Sequence, residues 1–174
     1  VAGSVNTDGG TIALFTTGGN VDVAGSLDTS VVEAPDTPVA GGNIEMRARR
    51  TEFPPLSSQD AEALTAGGGI TVAEGARLVT GGGDVSLGLD ATSSTASAYQ
   101  IVVNGQIDST GAADAVGGAV TLVTADEGAS VTIADLTPTD LIHTSIVTAG
   151  GRIQSVGSGS LRLEDATLDA RSLP

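Results

Sequence analysis

Cysteine is absent from the 174 residues, and so are tryptophan and lysine. Without cysteine there is no disulfide framework, no thiolate metal site and no cysteine nucleophile. Without tryptophan, and with two phenylalanines and one tyrosine, no large aromatic side chains fill a thick interior. The positive charges are seven arginines against 21 acidic residues, a net charge of −14. So acidic a surface repels nucleic acid and anionic lipid, which sets both aside as partners. No run of about 18 apolar residues occurs, so no membrane-spanning helix or membrane insertion is expected.

What the chain does contain is glycine, 25 residues of it, alternating with small aliphatic and hydroxyl side chains. Val, Ile, Leu, Ala and Thr suit a thin core between closely spaced strands. The apolar residues recur at regular intervals, which argues against disorder.

The recurrence is a repeat of the form Gly-Gly-x-Ile/Val-x-Leu/Val/Met. Its first aliphatic positions are Ile12, Val21, Ile44, Ile70, Val85, Val120 and, in a degenerate copy, Ile153. After each glycine pair, apolar and polar residues alternate with period two, the pattern of a half-buried strand. A second motif, Gly-x-Val/Leu/Ile-Asp/Asn-Ser/Thr, runs over Gly3–Thr7, Gly25–Thr29 and Gly105–Ser109. Gly75–Thr80 and Gly128–Ile133 are looser relatives of it.

Short strands, each introduced by glycine, predict an all-β fold. We expect a right-handed parallel β-helix whose Gly-Gly corners stack coil on coil, glycine supplying positive φ at each. The first aliphatic residues would form one internal ladder, with Thr11, Asn20, Asn43, Asp84 and Arg152 outside. About 20 residues per coil implies six to eight coils. The glycine pairs are unevenly spaced, so loops are expected near 33–40, 48–66, 90–98, 110–116 and 134–145. Within the 48–66 insertion, residues 57–64 could form a short helix capped by Ser57 or Ser58. Residues 1–174 read as a single solenoid segment, opening inside a repeat and therefore excised from a longer protein.

These two alternating motifs resemble the repeats of filamentous haemagglutinin-type exoproteins, long right-handed β-helices exported by two-partner secretion or related routes in Gram-negative bacteria. The resemblance implies a secreted segment at the bacterial cell surface, a structural or adhesive shaft. It supplies no catalytic residues. The partners it implies are further coils of the same protein, neighbouring chains, or host and matrix glycans. A self-stacking filament subunit is the alternative reading, and a β-helix polysaccharide-active enzyme a weaker one.

Residues that could carry chemistry are few. His143 is the sole histidine, and Gly157-Ser158-Gly159-Ser160 lies between strands, not on the strand-to-helix elbow of a serine hydrolase. Asn6-Thr7-Asp8-Gly9 is similar to one motif of polygalacturonases, but a chain without lysine cannot supply their Arg-x-Lys. We therefore read no catalytic residues, no cofactor and no enzyme. For calcium, which needs six to eight converging oxygens, the candidates are Asp126 with Glu127, Glu164 with Asp165 and Asp169, and Asp84 with Asp90. Solvated carboxylates are the simpler reading of each. Arg47, Arg49 and Arg50 form the one basic cluster. It could contact acidic glycans, but pairing with Glu45, Glu52 and Asp60 is preferred.

Overall fold

In the computed structural model, residues 1–17, 19–31, 39–49, 69–90, 100–111, 116–124, 129–136 and 143–171 are described. The strands come in threes. The first turn holds β1 (Val5–Asn6), β2 (Ile12–Thr16) and β3 (Val21–Val23), and the second β4 (Ser26–Asp28), β5 (Ile44–Arg49) and β6 (Ile70–Val72). The third holds β7 (Arg77–Val79), β8 (Val85–Asp90) and β9 (Gln100–Val103). The fourth holds β10 (Gln106–Asp108), β11 (Val120–Thr124) and β12 (Ser130–Ala134). A fifth, β13 (Ser145–Val147), β14 (Ile153–Gly157) and β15 (Ser160–Glu164), is followed by β16 (Thr167–Asp169). No helix occurs among the described residues.

Every strand pairs in parallel with the strand three places away in the chain. Sheet A runs β1-β4-β7-β10-β13-β16, sheet B β2-β5-β8-β11-β14 and sheet C β3-β6-β9-β12-β15. Among the described residues this is a parallel β-helix of five turns and one extra strand, fewer coils than the repeat length predicted. Where no insertion intervenes a coil takes 22 residues, as from Val5 to Leu27 and from Ile146 to Leu168. The rest of the shortfall lies in the insertions.

Registration fixes what fills the interior. Sheet A stacks Val5, Leu27, Leu78, Ile107, Ile146 and Leu168. Sheet B stacks Ile12, Ile44, Val85, Val120 and Ile153. Sheet C stacks Val21, Ile70, Ile101, Val131 and Leu161. Side chains alternate in and out along each strand, and the middle coils bury the inward set completely, with Ile44, Met46, Leu78, Leu87, Ile101 and Ile107 all at 0% exposure.

The predicted single ladder is thus two. Ile12, Ile44, Val85, Val120 and Ile153 follow equivalent corners into sheet B, whereas Val21 and Ile70 lead sheet C. A glycine before a strand marks some corner, and two kinds of corner in this helix use one. In the same way the motif at Gly128–Ile133 runs into β12 of sheet C, while Gly3, Gly25, Gly75 and Gly105 all introduce sheet A. Thr11, Asn20, Asn43, Asp84 and Arg152 lie exposed on the outside, as expected.

The predicted loops fall largely on residues outside the described set, as do the 57–64 helix, Arg50, Asp126 and Glu127. At their edges strands run further than anticipated: β5 continues through Arg49, β8 through Asp90 and β12 through Ala134. No helix among the described residues is long and apolar enough to cross a membrane.

Candidate functional sites at the corners and on the outer faces

The most regular polar arrangement is the corner from sheet A to sheet B. Its hydroxyl residues are Thr7, Thr29, Thr80, Ser109 and Thr148, and its glycines Gly10, Gly42, Gly83, Gly118 and Gly151. Each hydroxyl donates to the carbonyl of its glycine: Thr29 to Gly42 at 2.5 Å, Thr80 to Gly83 at 2.5 Å, Ser109 to Gly118 at 2.8 Å and Thr148 to Gly151 at 2.9 Å, with Thr7 bonded likewise to Gly10. In return each glycine N–H donates to the carbonyl of the hydroxyl residue, at 2.9 to 3.4 Å. Thr29, Thr80, Ser109 and Thr148 are fully buried. The reciprocal clamp satisfies polar groups that burial would otherwise leave at a cost.

The glycine in this clamp is required by contact, not by dihedral angle. A Cβ on Gly83 would lie 2.2 Å from the carbonyl oxygen of Gly42, on Gly118 2.0 Å from that of Gly83, and on Gly151 2.2 Å from that of Gly118. None of the three has positive φ, so the positive-φ expectation is corrected for them. Positive φ belongs to the residues just before: Asp8 and Gly9 (48° and 88°), Gly81 and Gly82 (59° and 102°), Ala149 and Gly150 (42° and 95°). Two successive positive φ angles are the mark of a type I′ turn. In the second and fourth coils the turn is replaced by insertions after Thr29 and Ser109, yet the clamp reforms across them.

On the outer face of sheet B, Arg47 lies across the ladder. Its Nε donates to Glu45 Oε1 at 2.7 Å and its Nη1 to Asp90 Oδ1 at 3.2 Å. The guanidinium passes over Gly88, where a Cβ would meet Nη1 at 3.7 Å. Hydrogen bonding to Glu45 raises the Arg47 pKa above its ordinary value against the opposing effect of burial, and Asp90 adds to it. The expected pairing with Glu45 is therefore present. Asp90 was not foreseen, because the contact depends on which coil lies next. Arg49 is exposed at the end of β5, beside Asp90 in register.

Among the described residues the carboxylates proposed for calcium do not assemble. Asp84 and Asp90 stand at opposite ends of β8, and the Asp84 Oδ1 accepts from the Ala119 N–H at 2.7 Å, stapling one coil to the next. Glu164 pairs with Arg162 on the same strand. Asp165 sits at a corner with φ 47°. Asp169 is held by Arg171, whose side chain and then backbone hydrogen bonds lower its pKa to about 2. Among the described residues no three His, Asp or Glu side chains converge as a metal site.

Eight residues before His143, Asp135 carries no motif that singles it out in the sequence. The His143 Nδ1 lies 3.0 Å from Asp135 Oδ2, the imidazole exposed and the carboxylate nearly wholly buried. Around them Asn104 Oδ1 accepts from the Leu136 N–H at 2.9 Å, and the Thr144 hydroxyl donates to the Ala134 carbonyl at 3.0 Å. These bonds tie the two described ends of the corner between β12 and β13 to each other and to the coil beneath.

No family model, curated protein or solved structure matches this chain. The ladders, clamps and surface pairs therefore have to carry the functional reading themselves.

Proposed function

We propose that this chain is a structural segment of an extracellular bacterial surface protein, a stiff solenoid spacer whose insertions vary an adhesive exterior. The observation that supports it is the clamp at every turn from sheet A to sheet B. A hydroxyl–glycine pair repeats at each rung, its hydroxyl buried in all but the first, and gives every coil the same corner. Three in-register ladders resist bending in any direction, because bending must open one sheet or compress another. The acidic, arginine-paired outer face suits a solvated extracellular surface. Further coils and matrix glycans are the partners this reading implies.

The test is whether the two ends keep a fixed separation. With no native cysteine, Ala13→Cys and Gln154→Cys give two specific attachment points for spin labels, at the first and last strands of sheet B. Four strand spacings separate them, about 19 Å between backbones. Pulsed dipolar spectroscopy should return one narrow distance near that value, lengthened only by the labels. A broad distribution would remove the stiffness on which the spacer reading depends.

A further inference from the structure

Of the asparagines Asn6, Asn20, Asn43 and Asn104, the first three precede the β-branched residues Thr7, Val21 and Ile44. Asn104 alone precedes a glycine, Gly105. The backbone nitrogen after an asparagine can attack its side-chain amide carbon and close a succinimide ring. A β-branched residue crowds that nitrogen, whereas glycine leaves it open and its backbone free to turn. Asn104-Gly105 is therefore where the sequence favours this chemistry.

The two residues make the corner between β9 and β10, and the coils on both sides pin them there. Toward the preceding coil, the Asn104 N–H donates to the Val72 carbonyl at 2.8 Å and the Gln106 N–H to the Ala76 carbonyl at 2.9 Å. Toward the next coil, the Asn104 Oδ1 accepts from the Leu136 N–H at 2.9 Å and the Thr144 hydroxyl at 3.4 Å. The Gly105 carbonyl accepts from the Ser145 N–H at 3.3 Å.

Packing makes the glycine obligatory. Gly105 is buried, and a Cβ on it would lie 2.6 Å from the carbonyl oxygens of both Ala73 and Ala76. The corner between β3 and β4 has the same need, since a Cβ on Gly25 would lie 2.1 Å from the Gly3 oxygen, but there the preceding residue is Ala24. At Asn104 the amide is present because it holds the next coil. Ring closure must turn that amide away from Leu136 and Thr144 and rotate a peptide packed against two carbonyls. The seated coil opposes both movements.

We propose that Asn104-Gly105 is a latent self-modification site, silent while the coil after it is seated and reactive once that coil lifts. The Gly105 nitrogen bonds to Asn104 Cγ, the bond from Cγ to the side-chain nitrogen breaks, and ammonia leaves carrying the Gly105 amide proton. Water then opens the imide at either carbonyl, giving aspartate or isoaspartate. One water is consumed and one ammonia released, with no oxidant or cofactor. Isoaspartate routes the main chain through Cβ and lengthens it by a methylene, so the corner cannot reform with both sets of bonds. An opened coil is thereby marked permanently.

Peptide mass spectrometry of the intact chain, incubated at mildly alkaline pH in buffer and in urea, tests this. Asn104 should convert at least about tenfold faster in urea, the scale of one or two lost hydrogen bonds. Thr144→Val removes one of the two donors and should speed conversion in buffer about threefold. Thr144→Ser keeps the hydroxyl and should react as slowly as the native chain. Circular dichroism checks that both variants are folded. If the valine variant is not, urea below the unfolding midpoint replaces it, and conversion should rise in step with exchange of the Leu136 N–H. Chains carrying isoaspartate and returned to buffer should show a lowered denaturation midpoint. Equal rates in buffer and urea overturn the proposal, as does faster conversion of Asn6, Asn20 or Asn43 in urea. Folded valine and serine variants that react alike, or conversion indifferent to Leu136 exchange, overturn it equally. None of these outcomes alters the Ala13–Gln154 distance that tests the spacer reading.

Discussion

The glycines and hydroxyls at the corner from sheet A to sheet B act in pairs, and substituting either partner should have a calculable effect. Gly118→Ala brings a methyl group within 2.0 Å of a backbone oxygen that cannot move without shifting a whole rung. Overpacking of this kind costs about 1–3 kcal/mol or more, read as a lowered denaturation midpoint. Gly3→Ala, where nothing lies within 4 Å, is the control and should change stability by less than about 0.5 kcal/mol. Thr80→Val keeps the shape but leaves the buried Gly83 carbonyl without its hydroxyl donor, at a cost of about 1–3 kcal/mol. Thr80→Ser should recover most of that loss, since Ser109 fills the equivalent place in the next coil. Loss in the Ser variant without loss in the Val variant would mean that the methyl, not the hydrogen bond, matters there.

Single strands here are short, three to six residues for most, and none could stand alone. Their stability comes from neighbours above and below, and among the described strands β16 has a neighbour on one side only. Asp169 and Arg171 close it. The Asp169 pKa is depressed in the folded chain from an ordinary 3.8 to about 2, chiefly by the Arg171 side chain. A depressed carboxyl stabilises the folded state above the unfolded pKa and loses that contribution as pH falls through the folded one. Fraying of β16 is therefore expected between about pH 4 and pH 2. A carbon-detected NMR titration should place the Asp169 midpoint near 2, and Arg171→Ala should return it toward 3.8. A midpoint unchanged by that substitution would show that the pair is not formed in solution.

For the whole molecule, stability should fall from the middle coil toward the ends, because each coil contacts only its neighbours. Leu87 lies between Met46 and Leu122 with no exposure. Its replacement by alanine should cost about 2–5 kcal/mol. Leu163→Ala, in the last described strand of sheet C and half exposed, should cost under about 1 kcal/mol. Hydrogen exchange should follow the same gradient, with β7 and β8 protected longest and β1 and β16 first to exchange. Uniform protection along the axis would contradict the nearest-neighbour picture.

How far the sequence alone reaches can be seen at particular residues. Glycine pairs followed by alternating aliphatic residues determined the parallel coil, because positive-φ turns, close backbone approach and period-two burial are local demands written in local residue types. The same applies to Asn6, Asp28 and Asp108, whose side chains cap their own turns within two residues. The clamp was nearly visible too: Thr7-Asp8-Gly9-Gly10 and Thr80-Gly81-Gly82-Gly83 join the two motifs end to end. Which corner each glycine pair occupies was decided only by the tertiary structure. Insertions of unequal length break the sequence period, so Ile44 and Ile70 look alike although they line different sheets. Arg47–Asp90 and His143–Asp135 were likewise beyond local reading. Arg47 meets Asp90 because one rung is brought over another, and His143 meets Asp135 because the two described ends of one corner come together.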